Sequence, residues 1–84
     1  MINEKIISKV HKYVYDNAFA NKEKITNDVL IFKEGFLDSM GLVMLITFLE
    51  ETFQIKASDS DMIEENFESI NAISSYVERK SVQV

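Results

Sequence analysis

Gly35-Phe36-Leu37-Asp38-Ser39-Met40-Gly41-Leu42-Val43 marks the point at which a long irregular connection gives way to a strongly apolar helix. Asp38 and Ser39 are both residue types that cap helix N-termini, because a short side-chain oxygen accepts one of the N–H groups the first turn leaves unpaired. From Ser39 or Met40 the apolar residues recur with a helical period as far as Phe53. At about 100° per residue, Leu42, Leu45, Ile46, Leu49 and Phe53 gather on one side, while Met40, Met44, Thr47 and Glu51 gather on the other. The first set is the expected core face and the second the solvent face.

Upstream, Ile25, Leu30, Ile31, Phe32, Phe36 and Leu37 are too apolar for a solvated linker, so the long connection is expected to pack its side chains, with Asn27 and Asp28 capping a turn of their own. Before it, Ile2, Ile6, Ile7, Val10, Tyr13 and Val14 recur at helical spacing and predict a helix over 3–18, ended by the polar run from Ala20 to Lys24. Downstream, Ser58-Asp59-Ser60-Asp61 offers caps for a short helix over 60–66, with Met62 and Ile63 turned inward and Glu64 and Glu65 outward. Ser69 then caps a last helix carrying Ile70, Ile73, Tyr76 and Val77, with Arg79 and Lys80 favourably placed near its C-terminus. No stretch alternates as a strand. The expected fold is all-α: a small four-helix bundle of three longer helices plus one short helix, with a long packed loop between the first two. Residues 1–80 are expected to form one domain, and 81–84 a flexible tail.

Eighty-four residues are near the lower size at which one core sustains itself, so modest stability is expected. The absence of cysteine excludes disulfides and any thiol chemistry from the polypeptide. A formal charge of −5 argues against phosphate-backbone binding and favours basic proteins as partners. The segment from Met1 to Lys5 does not read as a signal peptide, and the apolar run from Leu42 to Ile46 is too short to span a bilayer. A soluble, cytoplasmic monomer is the expectation.

Ser39 does not read as a catalytic nucleophile. A serine hydroxyl needs an adjacent base and an oriented third group. The single histidine, His11, falls at the edge of the first helix's apolar stripe, and no Gly-x-Ser-x-Gly elbow is present. A calcium loop beginning at Asp59 also fails, since Ile63 and Glu64 stand where that pattern needs a ligand and a glycine. No catalytic or metal site is therefore expected. Met40 and Met44 lie opposite the leucine stripe, and an exposed thioether pair suits a surface that must fit several partners.

Asp38-Ser39-Met40, the Phe53-x-Ile55 that begins fourteen residues after Ser39, the acidic turn beyond it and Phe67-x-Ser69-Ile70 together resemble the acyl carrier protein family over about residues 2–80. That resemblance implies that Ser39 carries 4'-phosphopantetheine, donated by CoA, and that Asp38 belongs to the motif recognised by the phosphopantetheinyl transferase. The thiol of the arm would hold acyl or aminoacyl groups as thioesters and pass them between enzymes. It further implies a partner face of Met40, Val43, Met44, Thr47, Glu50, Glu51 and Asp59, and a protein that is a substrate of enzymes and not itself one. Either Asp38 or Ser39 can serve as the helix cap beside that role, and a helix N-terminus suits a nearby phosphate.

The chain departs from the pattern of bulk fatty-acid carriers, which place acids two and five residues after the modified serine, where Gly41 and Met44 stand here. Glu50, Glu51 and Asp59 match the remaining acids, and Ala57 stands near the place of a frequent proline. The run from Ile31 to Gly41 is more similar to carriers loaded by a dedicated ligase, as in D-alanyl, aminoacyl or specialised acyl transfer. A different class of function also fits the residues. In it, Met40, Met44, Thr47 and Glu51 bind a partner helix and Ser39 is only a cap.

Overall fold

The computed structural model describes residues 4–81. Ile2 of the first apolar stripe, and residues 82–84 of the expected tail, lie outside that range. Four helices follow one another: α1 (Glu4–Asn17), α2 (Ser39–Phe53), the single-turn α3 (Glu64–Phe67) and α4 (Ile70–Ser81). Among the described residues there is no strand, and no helix is long and apolar enough to cross a membrane. The expected bundle of three longer helices and one short one is what forms. Ser81, assigned to the tail on sequence, is the last residue of α4 and donates its hydroxyl to Val77 O at 2.8 Å.

α1 buries Val10 and Val14 completely, and its neighbour in the core is α4, which buries Ile70, Ile73, Tyr76 and Val77. Leu45 and Leu49 supply the buried face of α2, with Leu42, Ile46 and Phe53 half-buried beside them. An aromatic column ties α1 to α2: Tyr13 stacks on Phe48 at 4.3 Å, and Phe48 meets Phe53 edge-on at 6.2 Å. α2 stops at Gln54, which adopts the left-handed conformation (φ 57°) and donates its side-chain amide to Glu51 O at 2.9 Å, satisfying one of the carbonyls a helix end leaves free.

The connection between α1 and α2 is packed, as its composition requires. Ile25, Ile31, Phe36 and Leu37 are buried. Its backbone is pinned to the end of α3 by Ile31 N–H to Glu68 O and to α4 by Asn71 N–H to Asn27 O, both 2.9 Å. Phe36 N–H closes a turn onto Ile31 O at 2.9 Å, and Gly35 supplies the positive φ (81°) that brings the chain back. Two expectations for this segment are corrected. Leu30 is exposed, because the adjacent Ile31 takes the single inward position at the start of the turn. The loop's own helical turn is a 3₁₀ turn at Lys22–Lys24, while Asn27 and Asp28 turn outward to other elements: Asn27 Oδ1 lies 3.0 Å from His11 Nδ1, and Asp28 accepts from the Asn71 amide.

The expected helix over 60–66 is also corrected. A 3₁₀ turn at Asp59–Asp61 is followed by an extended Ile63 and only then by α3. That break interrupts the helical register, so Met62 and Ile63 remain about half exposed and Phe67 takes the inward position, edge-on to Tyr76 at 5.0 Å. Glu64 and Glu65 point to solvent as expected. Ser58 caps the 3₁₀ turn through a reciprocal box with Asp61, and Ser69 Oγ accepts Ala72 N–H at 3.0 Å to cap α4.

Asp61 Oδ2 joins this turn to α4. It accepts Ser58 N–H at 3.0 Å and the Tyr76 hydroxyl at 2.9 Å, and it pairs with Lys80 Nζ at 3.0 Å. The Ser58 amide first, then Lys80 and Tyr76, hold its carboxyl well below the usual carboxylate range. A depressed folded-state pKa stabilises the fold in full above the unfolded carboxylate value of about 4, and the contribution is lost as pH falls through and below it toward the folded value. Asp61→Asn is therefore expected to lower Tm at neutral pH and to flatten the fall of Tm on acidification. A variant whose acid limb runs parallel to that of the parent would show that this cluster is not what titrates.

Candidate functional site

The N-terminus of α2 is built from its cap outward. Asp38 is extended (φ −111°, ψ −170°); its Oδ1 accepts Gly41 N–H at 2.9 Å, and its carbonyl accepts Leu42 N–H at 2.9 Å. Asp38 is thus the cap, and Ser39 is the first residue of the helix proper. Ser39 is exposed, and its hydroxyl has no hydrogen-bond partner among the described residues. The peptide N–H groups of Ser39 and Met40 belong to the first turn, which has no intrahelical acceptors, and they stand at the positive end of a 15-residue helix. A free hydroxyl beside unpaired N–H donors fits a phosphodiester.

His11 is half-buried and held by the loop residue Asn27. Among the described residues no group of three or more His, Cys, Asp or Glu could hold a metal ion.

The outward face of α2 lies where the periodicity places it. Met40, Val43 and Met44 are 67%, 59% and 56% exposed, and Thr47 and Glu51 are exposed beyond them. Val43, Met44, Thr47 and Glu51 line one shallow groove with Tyr13 and Phe48. Asp38, Met40 and Met44 line a second hollow against the end of α1, with Tyr13, Asn17 and Phe19. Glu50 and Asp59 join neither. The Glu50 carboxylate is half-buried and accepts Ala57 N–H at 2.9 Å, and Asp59 lies in the 3₁₀ turn beyond the helix.

Phe19 and Tyr13 are contributors that sequence reasoning overlooked. Phe19 lies two residues beyond the end of α1, between Ala18 and Ala20, and its place comes from the backbone bond to Phe36, so no local pattern signalled it. Gly41 has a structural reason as well. A Cβ there would lie 3.1 Å from Leu37 Cβ and 3.5 Å from Asp38 Oδ1, so an acidic side chain would press on a buried leucine beside another carboxylate.

No protein-family model matches the chain. Among curated proteins it is similar to the D-alanyl carrier protein of Lactococcus lactis subsp. cremoris, with 41% identity over 54 residues, covering 64% of this chain and 68% of that one. The D-alanyl carrier protein of Streptococcus uberis is 35% identical over 72 residues, covering 86% and 85%. The acyl carrier protein of Buchnera aphidicola subsp. Baizongia pistaciae is 31% identical over 70 residues, covering 83% and 87%.

Proposed function

This chain belongs to the carrier-protein family of the D-alanyl and acyl carrier proteins, and from that premise we propose that Ser39 is its attachment site for 4'-phosphopantetheine. A member of this family is a carrier and not a catalyst. The observation that carries the assignment is the division of labour at α2: Asp38 caps the helix, which leaves the Ser39 hydroxyl exposed and without a structural duty. In the transfer, Ser39 Oγ forms a bond to the phosphorus bearing the pantetheine of CoA, the pyrophosphate bond of CoA breaks and adenosine 3',5'-bisphosphate leaves, and the hydroxyl proton passes to a base of the transferase. The N–H groups of the first turn then face a phosphodiester anion, an interaction of about 0.3–1 kcal/mol at an exposed helix end. When bound, the arm supplies the thiol that this cysteine-free chain lacks. The described residues act as one carrier domain.

We further assign the cargo to the aminoacyl class, loaded by a dedicated ligase. The names of the Lactococcus and Streptococcus relatives support this, as does the partner face, where Gly41 and Met44 replace the acids suited to basic docking patches. Met40, Val43, Met44, Thr47 and Glu51 form that face. Glu50 and Asp59 lie apart from it.

Incubation with CoA, magnesium and a broad-specificity phosphopantetheinyl transferase, followed by intact mass and peptide mapping, tests the assignment. One phosphopantetheine on the peptide containing Ser39 is expected. No mass gain would leave the helical interaction module as the better account. Met44→Glu is expected to fold normally, since Met44 is more than half exposed. It should slow loading by the native ligase while improving use by a fatty-acid synthase component, because an apolar contact is exchanged for a charge. Unchanged loading rates with both enzymes would place docking elsewhere.

A further inference from the structure

Among the described residues every methionine stands at the surface: Met40, Met44 and Met62 are 67%, 56% and 46% exposed, while the buried aliphatic side chains are all Ala, Val, Ile or Leu. Met40 and Met44 are four residues apart on α2, which makes them neighbours on one helix face. Met40 follows Ser39 directly, and Met44 lines both hollows that flank this face. With no cysteine and no tryptophan in the chain, the thioethers are its side chains open to mild oxidation. Leu45 and Leu49, on the buried side of the same helix, carry no such group, so chemistry at Met40 and Met44 leaves the packing of the bundle untouched.

We propose that Met40 and Met44 form an oxidative modification site, at which a peroxide converts the two thioethers to sulfoxides and thereby weakens docking of the enzymes that act on Ser39. The proposal rests on the reading of Ser39 as the attachment site and of Met40 and Met44 as part of the partner face. In the step, a sulfur lone pair attacks one oxygen of hydrogen peroxide: the S–O bond forms, the O–O bond breaks, sulfur is oxidised, and the other oxygen leaves as water. The sulfoxide places a strong dipole and a hydrogen-bond acceptor where a soft apolar group had been. A partner that covers it must strip water from that oxygen, and a surface fitted to thioethers offers no donor in return. Docking is therefore lost without unfolding, unlike the damage done by oxidising a buried methionine. Methionine sulfoxide reductases return the thioether, so the modification is reversible. Met62 stands apart, at the rim of a hollow that it shares with Phe32, Leu42 and Phe67 between α2 and α3.

The test oxidises the apo-protein with hydrogen peroxide, so that no arm thiol is present to react, and removes the oxidant. Transfer of phosphopantetheine from CoA by a broad-specificity transferase is then measured. Trypsin cuts after Lys33 and Lys56, which leaves Ser39, Met40 and Met44 on one peptide and Met62 on the next, so oxygen gain and arm attachment are both read by site. The KM for the oxidised protein is expected to rise roughly tenfold, as for a polar group buried without a partner. The kcat should change little, because the Ser39 hydroxyl is untouched. Melting temperature and helical circular dichroism should match the untreated sample. A pair of methionine sulfoxide reductases, one for each epimer, should restore the original KM, and Met62→Leu should respond to peroxide as the parent does. An unchanged KM with an oxygen on each sulfur of the Ser39 peptide would overturn the proposal. So would a slower transfer that the reductases leave in place, that disappears in Met62→Leu, or that comes with a lower melting temperature. Oxidation of Met62 while Met40 and Met44 stay reduced would overturn it as well. Equal transfer to oxidised and untreated protein removes only the oxidation site, whereas absence of transfer to the untreated protein removes the attachment reading together with it.

Discussion

Ser39→Ala is expected to take up no phosphopantetheine from CoA while melting at the temperature of the parent protein. The first half follows from the single hydroxyl placed at the start of α2. The second half follows from Asp38, which makes the capping bond to Gly41 N–H at 2.9 Å, so that loss of Ser39 Oγ removes no hydrogen bond among the described residues. Alanine is also a better helix former than serine within a helix. The complementary substitution should behave in the opposite way. Asp38→Ala is expected to cost about 1 kcal/mol through the lost cap, a fall in Tm of roughly 4–8 °C for a domain of this size. Intact mass after transferase treatment and thermal circular dichroism on both variants provide the check. Labelling that persists in Ser39→Ala would move the attachment site elsewhere. A destabilised Ser39→Ala with a stable Asp38→Ala would return the capping role to the serine.

That separation of roles was only half legible in the sequence. Asp-Ser before an apolar run says that a helix starts there, and either side chain can cap it. The choice depends on backbone angles that the sequence leaves open, and it falls to the residue still in the extended region. The core faces were more accessible, because burial imposes a period. Leu45 and Leu49 on α2, and Ile70, Ile73 and Val77 on α4, follow directly from the spacing of apolar residues. Met62 and Ile63 show where that logic stops. Four residues of helix contain too few turns to define a face, and the extended backbone at Ile63 shifts the register, so Phe67 becomes the buried residue. Phe19 was missed for a related reason. Its position comes from a hydrogen bond to Phe36, distant in sequence, and no local pattern encodes it.

Phe36→Ala is expected to cost about 3–5 kcal/mol, the range for removing a buried phenylalanine ring. Phe36 is 7% exposed, and its backbone is used twice: its N–H bonds Ile31 O, and its carbonyl accepts Phe19 N–H. The ring therefore stabilises more than its own burial. The connection between α1 and α2 has no long helix or ladder, and ordering it costs backbone entropy that only packed side chains can offset. Ile25, Ile31 and Leu37 share that task, and Leu37 also lies under Gly41 at the start of α2. Loss of the ring should consequently be felt at both ends of the loop. Hydrogen-exchange protection is expected to fall first for Phe19 and Ile31, while Val10 and Ile73 retain theirs until global unfolding. Because small domains have only about 5–15 kcal/mol in total, the variant should be partly unfolded near physiological temperature. It should then be a poor transferase substrate despite an intact Ser39. Urea melts of parent and variant measure the cost. A variant within about 1 kcal/mol of the parent, with unchanged protection at Ile31, would mean that the loop is held by its hydrogen bonds to Glu68 and Asn71 and not by its apolar residues.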